Sequence, residues 1–167
     1  RSPFGLATEY GKAWAGRYYA VESRLLTVNI APSLAWRASN SLTLSGGLQA
    51  QYAKGTLSNA IDFGTIGAAA GIPGALPGAQ DGFVEFNADD WAFGYVLGAL
   101  WQPSPALTIG ASWRSQLDHT LSGKVDFTLD TAGTGATLST LSGAFTDTAG
   151  RANLALPAVG TLGMAWK

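Results

Sequence analysis

The sequence predicts an all-β chain, an antiparallel up-and-down transmembrane β-barrel of which about six strands are present. Three observations carry this. Apolar residues fall on alternate positions along segments of similar length, the opposite faces are small and neutral, and short links alternate with long ones. Only 13% of the 167 residues are charged, against roughly 25% in ordinary soluble domains.

Taken in order, the first strand is the least regular and occupies residues 3–10, PFGLATEY. Residues 26–36 place Leu26, Val28, Ile30, Pro32, Leu34 and Trp36 on one face, opposite Thr27, Asn29, Ala31, Ser33 and Ala35. Residues 42–52 repeat this, with Leu42, Leu44, Leu48 and Tyr52 opposite Thr43, Ser45, Gln49 and Gln51. Residues 91–101 carry Trp91, Phe93, Tyr95, Leu97 and Trp101 on one face, and residues 107–117 carry Leu107, Ile109, Trp113 and Leu117. A last segment, residues 154–166, ends on Met164 and Trp166. The four middle segments are near the length a tilted strand needs to cross a bilayer, about twice the usual strand of a soluble sheet.

Residues 37–41 and 102–106 (QPSPA) are tight turns, rich in Asn, Ser and Pro. Residues 57–90 and 118–152 are long links. Trp36, Trp101 and Trp166 fall on the short-turn side and Tyr52 and Trp91 on the long-link side, as interfacial girdles do. Six strands cannot close a transmembrane barrel, whose smallest examples have about eight. An open edge in lipid leaves backbone groups unpaired. Residues 1–167 therefore read as a single partial segment of a larger barrel.

Composition excludes much else. Cysteine is absent, so there is neither a disulfide nor a thiolate metal site. His119 is the only histidine, which makes no metal site, and its expected place is the surface near the external interface. A net charge of −1 gives no footprint for nucleic acid. There is no run of 18 apolar residues for a membrane helix, no nucleophile elbow and no phosphate-cradling loop. The expectation is a protein that is not an enzyme and needs no cofactor or metal. Asp89 and Asp90 read as a loop-end pair before a strand.

The candidate site lies in the long links. The first holds Ile61, Phe63, Ile66, Ile72, Leu76, Phe83 and Phe86 in a glycine-rich setting, with residues 65–71 forming a short helical turn before Pro73. The second holds Leu138, Leu141 and Phe145. Two readings stand: a flexible Gly/Ala linker, or an apolar surface that collects hydrophobic solutes. Arg114 falls on the polar face and so points into the lumen, where it would hold a carboxylate, pair with Asp118 or contact a plug outside this chain. The same parity places Gln116, Asp118, Lys124 and Asp126 inward.

The motifs PFGLATEY, AGRYYAVES and TVNIAPSLAWR, followed in order by QYAKGTLSNAIDFG, DDWAFGYVLGALWQPSPALTIGASWRS and LALPAVGTLGMAW, span nearly the whole chain. Together they resemble the long-chain fatty acid transporter family of outer-membrane proteins, the FadL type, which includes aromatic hydrocarbon importers. The resemblance implies a 14-stranded barrel with an N-terminal hatch, of which this chain matches the third to eighth strands. It implies passive uptake of hydrophobic molecules, most readily long-chain fatty acids, across the outer membrane of a Gram-negative bacterium.

The two long links would then form an external groove that captures ligand, and the strand matching residues 2–9 would kink inward at Pro3, Phe4 and Gly5 to open a lateral exit. Pro cannot donate to the ladder and Gly tolerates the bend. The implied partners are the hydrophobic ligand and outer-membrane lipid and lipopolysaccharide, with the complete protein a monomer. One departure concerns the ligand: where fatty acid members can carry an Arg beyond the strand at residues 42–52, this chain has Asn59, which leaves an aromatic hydrocarbon as the alternative. Readings from other classes are a general porin, which would need a charged lumen, and a soluble β-module, which would need a solvent-tolerant outer face.

Overall fold

In the computed structural model, which describes residues 5–167, nine strands form one antiparallel sheet curled into a half-barrel, with two short helices at one end. In chain order these are β1 (Gly5–Glu9), β2 (Glu22–Ile30), β3 (Ser33–Arg37), β4 (Leu42–Asp62), α1 (Phe63–Ala69), β5 (Asp81–Ser104), β6 (Leu107–Arg114), β7 (Leu117–Thr128), α2 (Thr134–Ser142), β8 (Thr148–Leu156) and β9 (Val159–Trp166). Pro3 and Phe4 lie outside the described residues.

The nine strands are six continuous runs. The β2–β4 register passes unshifted into β3, with Ile30 facing Ala50 and Ser33 facing Gly47. The break between them is Pro32, which has no N–H to give. Likewise β6 and β7 form one run against β9 and β8, Arg114 facing Val159 and Leu117 facing Leu156. Pro157 breaks the partner run at the same level.

The strands outrun the sequence expectation. β4 has 21 residues and β5 has 24, paired without a shift from Leu42 opposite Trp101 to Asp62 opposite Asp81. At ~3.3 Å per residue, a 21-residue strand is about 70 Å long, more than twice a hydrocarbon core of ~30 Å. Ile61, Phe83 and Phe86, expected in a link, are therefore strand residues. Alternation of apolar and polar residues stops where lipid stops, but the ladder continues, because backbone hydrogen bonds do not need an apolar face. Asp89 and Asp90 accordingly lie inside β5 and not at a loop end.

Curling makes the two faces unequal. The convex face carries Leu34, Leu48, Phe93, Leu162, Met164 and Trp166, all more than two-thirds exposed. The concave face buries Thr27, Gln49 and Gln51. Two small apolar clusters also lie there: Ala53 with Ala88 and Leu121, and Ala92 with Leu117 and Leu156.

One irregularity changes the inward set. Val96 faces Arg114, yet Asp89 faces Ser122. Six residues of β5 thus oppose seven of the neighbouring run, the extra residue falling at 115–116. An extra residue reverses the faces beyond it. Arg114 is concave as expected, but Asp118, Lys124 and Asp126 are convex, while Leu117, His119 and Leu121 turn inward. The ion pairs among the described residues do not include Arg114 with Asp118; Asp118 instead accepts a hydrogen bond from Gln116 at 2.7 Å.

Candidate functional site

Apart from Arg114, which faces Val96 on the short-turn side of Trp91, the residues expected to meet ligand lie toward the end of the half-barrel away from the short turns. The segment after β4 is not a floppy linker. Asp62 caps α1 by accepting from the Thr65 N–H at 2.8 Å and the Thr65 hydroxyl at 2.6 Å, and it reaches over to the Gly78 N–H at 3.0 Å. Burial alone would raise this carboxyl, but the Thr65 and Gly78 hydrogen bonds outweigh it and hold the group below its ordinary value. α2 begins on Gly133, whose φ of 87° suits glycine, and the buried Asp130 carboxylate accepts from the Thr134 and Gly135 N–H groups.

The two helices pack directly. A Cβ on Gly67 would stand 2.5 Å from the Thr134 methyl, so only glycine permits this approach. The Thr134 hydroxyl donates to Gln80 at 2.8 Å, and Gln80 donates in turn to the Gly74 carbonyl at 2.9 Å, tying the two links together. Phe63 is wholly buried and meets Phe145 edge-on at 5.0 Å, with Phe127 completing the aromatic group at 6.1 Å. Phe145 holds a φ of 58°, unusual for a bulky residue.

The expected ligand residues thus divide. Phe63 and Leu138 are internal to the helix platform, and Ile72 and Phe145 are partly covered. Ile66, Leu76 and Leu141 are exposed, Leu141 to 75%. Phe86 packs against the concave cluster around Ala88. Phe83 lies on the convex side, where the Lys12 ammonium stands 4.8 Å from its ring. Asn59 donates to the adjacent Ala60 carbonyl at 3.1 Å. Gly5 opens β1 opposite Leu26, while Pro3 and Phe4 of the expected kink fall outside the described residues.

Beneath the platform, the concave face sets the buried polar side chains of Thr27, Gln49, Gln51 and His119 beside the two apolar clusters. Regular ladder pairing between β5 and its neighbour lapses from Asp90 to Tyr95, where the Ser115 N–H still donates to the Tyr95 carbonyl at 2.9 Å and side chains add to it. The Tyr95 N–H donates to the Ser115 hydroxyl at 2.9 Å, and the Thr120 N–H donates to Asp90 at 2.9 Å. His119, expected at the surface, is fully buried. The reversed parity turns its ring inward across β5 to Gln51 Oε1, 3.1 Å from Nε2. Its Nδ1 lies 3.5 Å from Asp90 without a hydrogen bond. Arg114 stands exposed beside a recess of about 70 Å³ formed with Gln51, Leu117, Leu156 and Pro157.

Sequence reading also missed a tie at the outer end. Arg17 Nε is 2.6 Å from Asp81 Oδ2, and the Tyr18 hydroxyl donates to the same carboxylate at 2.8 Å. The hydrogen bond to Asp81 raises Arg17 above its ordinary value. Burial and the same carboxylate raise Tyr18. The residues lie 64 positions apart, and no local spacing announces the pair.

The model of the family described as outer membrane protein transport protein (OMPP1/FadL/TodX) matches residues 1–167. The chain belongs to this family. Its place is the outer membrane of a Gram-negative bacterium. It is 30% identical over 139 residues to the long-chain fatty acid transport protein of Escherichia coli O6:H1, the match covering 75% of this chain and 29% of that protein. It is 32% identical over 71 residues to an outer membrane protein of Neisseria meningitidis serogroup B, covering 42% of this chain and 15% of the relative. The structure superposes on the crystal structure of a Pseudomonas aeruginosa FadL homologue with a TM-score of 0.84 at 20% identity, over 99% of this chain and 40% of that one. This family member therefore spans less than half the length of the relatives it matches, and the shared fold is that of a FadL barrel.

Proposed function

We propose that this chain supplies the ligand-collecting part of an outer-membrane transporter that admits hydrophobic small molecules by passive diffusion, with long-chain fatty acids as the cargo. The observation that carries the reading is the helix platform. Ile66, Leu76 and Leu141 are exposed on a scaffold held by Phe63, Phe145 and two capping carboxylates. An apolar surface that a rigid core keeps from collapsing binds solutes by burial, worth about 0.8 kcal/mol per CH₂. Ligand then passes the concave face by Arg114 and leaves sideways at the β1 edge, near Pro3, Phe4 and Gly5. The name of the Escherichia coli relative supports the choice of cargo.

A neutral aromatic hydrocarbon is the second reading, favoured by charge. Arg17, which contacts the Gly78 carbonyl, is already closed by Asp81, and Asn59 offers no cation. The test uses the full-length protein in liposomes, comparing uptake of labelled oleate and labelled toluene with swelling in sugars. Oleate entry without sugar entry is expected. Toluene entry alone selects the second reading, and sugar entry alone defeats both. Replacing Ile66, Leu76 and Leu141 together by serine should lower capture by roughly tenfold or more.

A further inference from the structure

We propose that Arg17 is a positioning residue for capture: from the connector between β1 and β2 it holds the segment that presents Leu76. The proposal rests on the platform reading and adds to it a part supplied from outside the two long links.

The segment needs a hold. Between α1 and β5 the chain runs through turns, and Gly71, Gly74 and Gly78 stand there at φ of 73°, 82° and 72°. Glycine loses more conformational freedom on ordering than any other residue. Local propensity therefore does not fix Leu76, which is 60% exposed within this run. The first long link supplies part of the order itself. The Leu76 N–H donates to Gln80 Oε1 at 3.2 Å, and the Gly78 N–H donates to Asp62. The Leu76 carbonyl lies so close to Gly64 that a Cβ there would collide with it.

The rest comes from Arg17, whose guanidinium reaches four acceptors. Nε donates to Asp81 at 2.6 Å. One terminal nitrogen donates to the Tyr18 hydroxyl at 2.7 Å and the Gly78 carbonyl at 3.4 Å, the other to the Trp14 carbonyl at 3.4 Å. Gly78 is thus held at both ends, its N–H by Asp62 and its carbonyl by Arg17. Asp81 adjoins Gly82, where a Cβ would strike the Phe63 ring, so the same guanidinium seats the start of β5 under the buried aromatic group. Arg17 is itself placed by the sheet: its carbonyl accepts from the Ala60 N–H of β4 at 2.8 Å. A planar fork serves Asp81 and Gly78 together, whereas a Lys ammonium is a point charge without that geometry.

The experiment titrates the full-length protein, held in amphipol, with labelled oleate. Leu76→Ser should weaken capture by roughly threefold, and Arg17→Gln by about the same. The double variant should stay near threefold, because a residue that acts through Leu76 has nothing to act on once Leu76 is gone. Independent sites would multiply to roughly ninefold. Arg17→Lys should behave as Arg17→Gln. In both Arg17 variants amide exchange should rise at residues 76–79 and stay unchanged in β4 and β5 below Tyr52, with heat-modifiable migration reporting an intact barrel. Normal capture by Arg17→Gln, a ninefold loss in the double variant or full capture by Arg17→Lys overturns the proposal and leaves the platform reading in place. Normal capture by the triple serine variant of Ile66, Leu76 and Leu141 defeats the platform reading, and this proposal with it.

Discussion

The two halves of this sheet are built by different rules although the same strands run through both. Below Tyr52 and Trp91 the convex face is a band of exposed Leu, Phe, Met and Trp. Above them the chain folds as proteins do in water: Phe63 is buried, both helices are capped by carboxylates, and an Arg17–Asp81 pair closes the links. The lower half delegates its apolar burial to lipid, and the upper half supplies its own. Order in each therefore depends on a different solvent.

The contrast can be broken from either side. The largest effect is expected for Phe63→Ala, which removes a fully buried ring from the platform and should cost about 3–5 kcal/mol. Hydrogen exchange should rise in α1 and α2 while β4 and β5 below Tyr52 stay protected. Next is Leu97→Arg, midway between Trp91 and Trp101 on the convex face. A charge there should cost about 2–4 kcal/mol of insertion, read as reduced folding into vesicles, with little effect on platform exchange.

Smallest is Asp62→Ala, a loss of about 1 kcal/mol of capping. The same carboxyl makes the platform acid-sensitive. Its folded-state value lies below the ordinary 3.8, so its stabilisation is complete above the unfolded value and is lost as pH falls through the folded one. Exchange in α1 should therefore accelerate only below about pH 4, and Asp62→Ala should remove that dependence.

Much of this was legible in the residues. Six runs, their alternating faces and the helical turn beside Pro73 follow from period-2 patterning and proline chemistry, and the structure has all three. Strand length was not legible, because beyond Tyr52 the convex face of β4 turns to Lys54, Thr56 and Ser58, so the apolar alternation ends at Lys54 while pairing continues to Asp62. His119 escaped for a different reason. Parity counted from Trp113 is correct up to Arg114, and the extra residue at 115–116 inverts it with no glycine or proline between Trp113 and Thr120 to mark the spot. The Arg17–Asp81 pair was invisible because it joins distant segments.

The extra residue also bears on bore. In a closed barrel the diameter follows from the number of strands and their stagger together. Between β5 and its neighbour the stagger below Arg114 differs by one residue from that above Leu117, a slip of about 3.3 Å along the strand. The same strands are therefore set for one curvature on the short-turn side and another beneath the helices. The change falls where Gln49, Gln51 and His119 are buried on the concave face, so these three side chains mark the level at which the curvature of the sheet changes.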